Sequence, residues 1–209
     1  MTRRFSALAA LACVFLVPAA SHAQAIRGFG DAGITVFSAT KSFTAILGHP
    51  SGPSFGGGVE LGLRKHLFIS VSASRFHRTG HRVFVFENEV FTLNDPATIT
   101  ITPLELNAGY RSTHLAWFHP YFGGGVSWHK YEETSAHSTA EDEVQATFRG
   151  YQALGGAEIP FAKWLATAAE AQFASVPNAL GNDSAGVSSV YNEHNLGGFT
   201  FRVKVIVGR

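Results

Sequence analysis

Six charged residues fall where an alternating chain would put them on one side of a sheet: Glu60, Glu105, Glu158, Glu170, Arg202 and Lys204. Carboxylates and cations gathered in a confined space can pass protons, steer ions, or neutralise one another. If they are shut away from water they must pair, because an unpaired buried charge is costly. Histidine offers a second chemistry. His77, His81, His129, His137 and His194 lie near stretches that read as long loops, and imidazole binds zinc and copper. His77 and His81 are four apart, a spacing that shares a face only on a helix, so solvated loop histidines are expected, with no metal and no cofactor. Acyl transfer is the third chemistry. Ser127 lies beside His129, and His137-Ser138 lies near Glu141. A hydroxyl nucleophile needs a base and an orienting acid in defined geometry. Adjacency in polar sequence does not supply it, so no catalytic residue is assigned and the chain is expected not to be an enzyme.

What would hold the six charges together is a sheet. In the last dozen residues Phe199, Phe201, Val203, Val205 and Val207 share one parity, while Thr200, Arg202 and Lys204 share the other. Successive side chains of a strand point to opposite faces, so this strand has an apolar face and a cationic one. Eight such strands can be read along the chain: Gly28–Thr40, Ser54–Leu63, one from Leu67, Thr98–Tyr110, Trp117–Tyr131, Thr147–Ile159, Trp164–Val176, and the last. Glu60, Glu105, Glu158 and Glu170 take the polar parity of their strands. In Thr98–Tyr110 the phase changes. Ile99 and Ile101 read as outward, then Leu104, Leu106 and Ala108, and a bulge at Pro103 is expected to absorb the extra residue. The run Gly123-Gly124-Gly125 would relieve crowding in a tightly curved sheet.

The connections alternate long and short. Arg64-Lys65-His66, Ser112-Thr113-His114 and Phe161-Ala162-Lys163 read as tight turns. Lys41–Gly52, the hairpin-like Arg82–Phe91, Glu132–Gln145 and Pro177–Asn195 read as long, exposed loops. Short turns on one side and long loops on the other are the habit of outer-membrane barrels. Aromatic residues recur near the strand ends: Phe76, Tyr110, Trp117, Phe118, Trp128, Tyr131, Trp164 and Tyr191. Trp117, Trp128 and Trp164 are assigned to interfacial girdles.

The N-terminus supplies an address. Arg3 and Arg4 precede an apolar stretch from Ala7 to Val17, too short for a mature spanning helix, and small residues follow. A signal peptide over 1–23 is expected, with cleavage after Ala23 or after Ala25, leaving one barrel domain over 26–209. Cys13, the single cysteine, lies in that leader, with Ala10-Leu11-Ala12 before it poorly suited to lipidation. Lys and Arg number 16 against 15 Asp and Glu. The leader takes two of the basic residues, so no basic patch points to nucleic acid. Glycine (22) and phenylalanine (18) are plentiful, which favours a closed β-barrel over a helical protein.

On these residues the chain resembles the small outer-membrane barrels of Gram-negative bacteria, the OmpA-like, OmpW-like and opacity-like proteins. Ile101-Thr102-Pro103-Leu104, Pro120 to Val126 followed by Tyr131, and the alternating last strand carry the likeness. The chain ends on Gly208-Arg209, where many such barrels end on an aromatic residue. The expected fold is all-β: an eight-stranded antiparallel up-and-down transmembrane β-barrel. The resemblance implies outer-membrane location, contact with outer-membrane lipids and lipopolysaccharide, passage through the barrel-assembly machinery, and a monomer. The expected role is structural or one of surface interaction, the six charges forming a lumen network and long loops standing outside. An OmpW-like narrow channel for small or apolar solutes, a lipid-modifying enzyme and a secreted lipocalin-like barrel are the alternatives.

Overall fold

A computed structural model describes residues 26–63, 66–87, 89–135, 144–181 and 186–208. The expected leader, Arg64-Lys65, and His137, Ser138 and Glu141 lie outside the described residues. Eight strands close an antiparallel barrel in chain order: β1 (Ile26–Phe37), β2 (Ser51–Gly62), β3 (Leu67–Phe86), β4 (Glu89–Arg111), β5 (His119–Ser135), β6 (Val144–Ala162), β7 (Leu165–Ser175) and β8 (Gly198–Gly208). β8 pairs back onto β1, Gly30 opposite Val205. Closure pairs every strand on both sides within the membrane-crossing wall, the condition for backbone to cross hydrocarbon.

Alternation decides which side is which. Phe199, Phe201, Val203, Val205 and Val207 are each about half exposed on the outer surface, at 49–59%, while Arg202 is 5% exposed inside. Val59, Val71, Leu104, Leu106, Phe122 and Phe173 extend the apolar belt around the barrel. The end of β2, the start of β3 and the short connections 112–118 and 163–164 lie at one end. At the other end β3 and β4 run past the barrel as a two-stranded hairpin, as the Arg82–Phe91 alternation predicts, with Phe86 opposite Glu89.

The expected bulge at Pro103 is absent. Register is continuous on both sides: Leu104 faces Ala73 and Ile101 faces Phe76, while Pro103 faces His129 and Thr102 faces Lys130. The phase of the apolar residues changes because the lumen itself becomes apolar there. Ile99 and Ile101 point inward, 1% and 2% exposed. The register shifts that do occur lie at His81/Val83 and Pro160/Ala162.

The Lys41–Gly52 connection is also corrected. It holds a helix, α1 (Thr40–Leu47), and β2 begins at Ser51. Phe43, Ile46 and Leu47 recur at helical spacing and give α1 one apolar face. Gly48 ends it in the left-handed region (φ 77°), donating its N–H to the Thr44 carbonyl. That face turns into the barrel mouth, where the Phe43 and Phe37 rings stack 4.1 Å apart. In the connection after β7, Val176, Ala179 and Leu196 pack over the same mouth, and a short helix, α2 (Val187–Val190), lies between them in sequence. Phe37, Phe43, Phe76, Ile99, Ile101, Tyr131, Val176 and Leu196 form one buried cluster with these loops. Phe76 and Tyr131 therefore belong to an internal cap and to no lipid-facing girdle.

Candidate functional site

The lumen is the candidate site, and it is layered. At the short-turn end four side chains meet from four strands. Arg27 enters from β1, Glu60 from β2, Arg111 from the end of β4 and Glu158 from β6. Arg27 Nη1 lies 2.7 Å from Glu158 Oε1, Arg111 Nη1 lies 2.6 Å from Glu60 Oε1, and Arg111 Nε lies 3.1 Å from Glu158 Oε2. Arg27 also pairs with Glu60. Each carboxylate sits between two guanidiniums, an arrangement that their planar forks favour. His119 Nδ1 stands 4.0 Å from Glu158. A vestibule of about 350 Å³ opens outside this ring, reaching Thr113, Lys163 and Trp164.

Above the ring the lumen turns apolar. Phe68, Tyr121, Leu154, Ala166, Ala168 and Ile206 form a buried layer with Phe29 against it. Arg111 lies over the Phe68 ring at 4.9 Å and Lys204 over the Phe29 ring at 4.7 Å, so each cation rests on an aromatic face. Room for these rings comes from glycines of inward parity. A methyl at Gly156 would stand 2.6 Å from the Tyr121 hydroxyl, and one at Gly109 would meet the Phe68 ring. A cavity among these side chains measures about 10 Å³, at or below what one water needs.

The next layer holds the remaining expected charges. Glu170 accepts from Lys204 and, at 2.9 Å, from the Tyr121 hydroxyl, while Arg202 Nε stands 3.2 Å from its other oxygen. Glu105 accepts from Gln172 at 2.9 Å and Ser72 at 3.3 Å, with Arg202 Nη2 at 3.4 Å. Gln152 donates to Asn107 at 2.8 Å. Asp31 projects inward opposite Lys204, and its Oδ2 has no hydrogen-bond partner among the described residues. Above lies a chamber of about 40 Å³, touched by Asp31, Thr35, Ser54, His129, Gln172 and Thr200, and above that the apolar cap.

The six expected charges thus fall in two separate layers. Glu60 and Glu158 share the lower ring; Glu105, Glu170, Arg202 and Lys204 share the upper network. Sequence reasoning missed Arg27, Arg111, Asp31 and Tyr121. Arg27 and Arg111 stand one residue outside the strand limits drawn at Gly28 and Tyr110, yet both hold the inward parity. His129 is a correction. It is no loop residue but lies inside β5, 7% exposed, 3.0 Å from the hydroxyl of Ser127, itself 1% exposed. The pair weighed for acyl transfer is in contact, but shut inside the barrel. His77, His81 and His194 are exposed. Trp117, Trp128 and Trp164 stand on the outer surface, 68%, 37% and 59% exposed, the first and third at the short-turn end.

The family model described as outer membrane protein beta-barrel domain matches residues 7–192. No curated protein matches the chain. Solved structures do. Neisserial surface protein A is 13% identical, with 88% of this chain and 97% of that one covered and a TM-score of 0.56. A major outer membrane protein of Thermus thermophilus gives 11%, 90%, 100% and 0.53. The N-terminal barrel domain of Pseudomonas aeruginosa OprF gives 12%, 90%, 100% and 0.50. At such identities the likeness concerns the fold.

Proposed function

The chain belongs to the outer membrane protein beta-barrel domain family, and from that premise we propose that it is a closed barrel with a structural and surface-interaction role rather than a conduit. One observation carries this reading: between the vestibule and the upper chamber the lumen is filled by Phe29, Phe68, Tyr121 and Leu154, and the cavity among them measures about 10 Å³. An eight-stranded barrel has an interior just wide enough for side chains to fill. Ion pairs fill it at one level, aromatic rings at the next, and the α1 cap at the mouth. A lipid-modifying reaction would need lipid to reach Ser127 and His129, which the wall and the cap separate from it.

On this reading the polar lumen residues stabilise the barrel. Trp117 and Trp164 mark one interface and Trp128 the other, with ring in lipid and polar edge toward water. The protein is a monomer among outer-membrane lipids and lipopolysaccharide, exported by a cleaved leader and inserted by the barrel-assembly machinery. The test is conductance across planar bilayers by protein folded there, judged by its heat-modifiable mobility on detergent gels. Silence at moderate voltage is expected. A steady unit conductance that survives in a variant lacking the vestibule cations Arg27 and Arg111 would establish the narrow-channel alternative.

A further inference from the structure

On the outer surface three neighbouring strands change character at one level. Going toward the loop end, the outward residues of β3 run Leu67, Ile69, Val71, Ala73 and then Arg75. Those of β5 run Phe122, Gly124, Val126, Trp128 and then Lys130. Those of β6 run Ile159, Ala157, Gly155, Ala153, Tyr151 and then Arg149. All three cations are exposed. Register places Lys130 and Arg149 side by side and Arg75 further round the wall. Trp128 faces Leu104 on one side and Arg149 on the other; Lys130 faces Thr102 and Thr147. Arg75 lies between Ala73, opposite Leu104, and Phe76, opposite Ile101, so it stands beside Thr102. Lys130 and Arg149 are diagonal neighbours, about 7–8 Å apart at the backbone. Arg75 and Lys130 are two strands apart, roughly 10 Å.

The other half of the barrel differs. At the loop end the outward residues are Phe173 and Ser175 on β7, Phe199 and Phe201 on β8, Ile34 and Val36 on β1, and Phe55 and Pro53 on β2. None is charged. The cationic arc is therefore a local feature of β3 to β6. Lys130 is engaged by Glu132 at 2.7 Å. Among the described residues no carboxylate lies within ion-pair distance of Arg75 or Arg149. His77, the next outward residue on β3, bonds Thr100 at 2.9 Å and borders the arc.

We propose that this arc binds the phosphate of a lipid headgroup in the leaflet at the loop end, Arg149 grasping it beside Trp128 and Lys130 adding charge from the next strand, while Arg75, three strands from Arg149 and roughly 15 Å away, extends the field that draws the headgroup in. The inference deepens the lipid contact proposed above and rests on that outer-membrane reading. Guanidinium forks match phosphate oxygens. The site's height, one step beyond the belt and beside Trp128, is the headgroup level, where such oxygens are concentrated.

Trp128 is the reporter. The full chain carrying Trp117→Phe and Trp164→Phe is folded into phosphatidylcholine vesicles containing a minor share of chain-brominated phosphatidic acid. The control places the same bromines on phosphatidylcholine. The acid should be enriched beside Trp128 at least about fivefold, the strength of one basic side chain at an anionic surface, as read from the quenching. The enrichment should vanish in Arg75→Gln/Lys130→Gln/Arg149→Gln and survive millimolar inorganic phosphate. Equal quenching by both lipids in protein with a folded gel mobility overturns the site, as does full displacement by free phosphate. Failure to fold into any vesicle would instead overturn the membrane-barrel reading beneath it.

Discussion

The two ends of the lumen are closed by opposite means. At the short-turn end Arg27, Glu60, Arg111 and Glu158 hold one another beside an open vestibule. At the loop end Phe37, Phe43, Phe76, Ile101 and Leu196 close the mouth with apolar contact. The first closure is carried by strands, so it cannot leave without opening the barrel. The second is carried partly by α1 and by residues 176–181 and 186–197, none of which belongs to a strand of the wall before Gly198. Charge is placed where the scaffold is rigid, because a buried ion pair repays its desolvation only in good geometry. Apolar contact, which is non-directional, is placed where the chain has slack. The two ends should therefore respond differently to damage.

The largest effect is expected inside the upper network. Glu170 is surrounded by Lys204, Arg202 and Tyr121, with its side chain 2% exposed. Glu170→Leu strands a cation in a place that water does not reach and should cost about 3–5 kcal/mol of barrel stability. Adding Lys204→Met should recover part of that loss. Urea midpoints of vesicle-folded protein, read by gel mobility, measure both. A loss below about 1 kcal/mol would mean that the network behaves like a hydrated surface pair, and the rigid-charge side of the comparison would fall.

The outer face offers the next test. Val203 is 59% exposed on the belt, at the middle of β8, whereas Lys204 points inward to Glu170. Val203→Arg should cost about 2–4 kcal/mol, the penalty for a cation on the lipid face near the midplane. Lys204→Gln removes one of two cations beside Glu170 and keeps a hydrogen-bond donor, so it should harm folding less. Folded fraction in vesicles ranks the two. The reverse order would invert the inward and outward faces.

A tighter probe of packing is Gly156→Ala. Its methyl would stand 2.6 Å from the Tyr121 hydroxyl and closer still to the Ala169 carbonyl oxygen of β7, so ring and neighbouring backbone must both give, and overpacking of this kind should cost about 1–3 kcal/mol, again by urea midpoint. A neutral result would show slack in the layer that interrupts the lumen, and would favour the narrow-channel alternative.

How much of this is legible in the sequence follows from the same contrast. The belt is legible because the belt residues are mostly apolar, and Phe199 to Val205 alternate without exception. The inward charges are legible wherever the opposite parity is apolar, as at Glu60 and Glu170. The rule fails where the interior is itself a core. Alternation puts Ile99 and Ile101 outward because it cannot tell lipid from an apolar cap, and the bulge at Pro103 is needed only to rescue that assignment. The cap's helix has a signal, Phe43 with Ile46 and Leu47, overshadowed by the period of the flanking strands. Arg27 and Arg111 are lost to strand limits drawn one residue short.

The smallest effect on the barrel is expected at the cap, where the comparison is most exposed to failure. Glu193 reaches from the 176–197 connection to the start of α1. Its carboxylate accepts from the Lys41 N–H at 2.9 Å, the Ser42 N–H at 2.8 Å and the Ser42 hydroxyl at 2.7 Å. The residue that precedes α1, Ala39, supplies no side-chain cap, so this contact both satisfies orphan N–H groups and ties one loop to another. Glu193→Ala should weaken docking of the cap by about 1.5–3 kcal/mol, the usual worth of hydrogen bonds to a charged group. It should leave the urea midpoint of the barrel nearly unchanged, because no strand pairing depends on it. Hydrogen exchange separates the two quantities. Amides of α1 should lose protection while those at the centres of β7 and β8 keep theirs. Loss of protection in both would mean that the cap and the barrel unfold as one unit, and the loop end would then be as rigidly built as the charged ring opposite it.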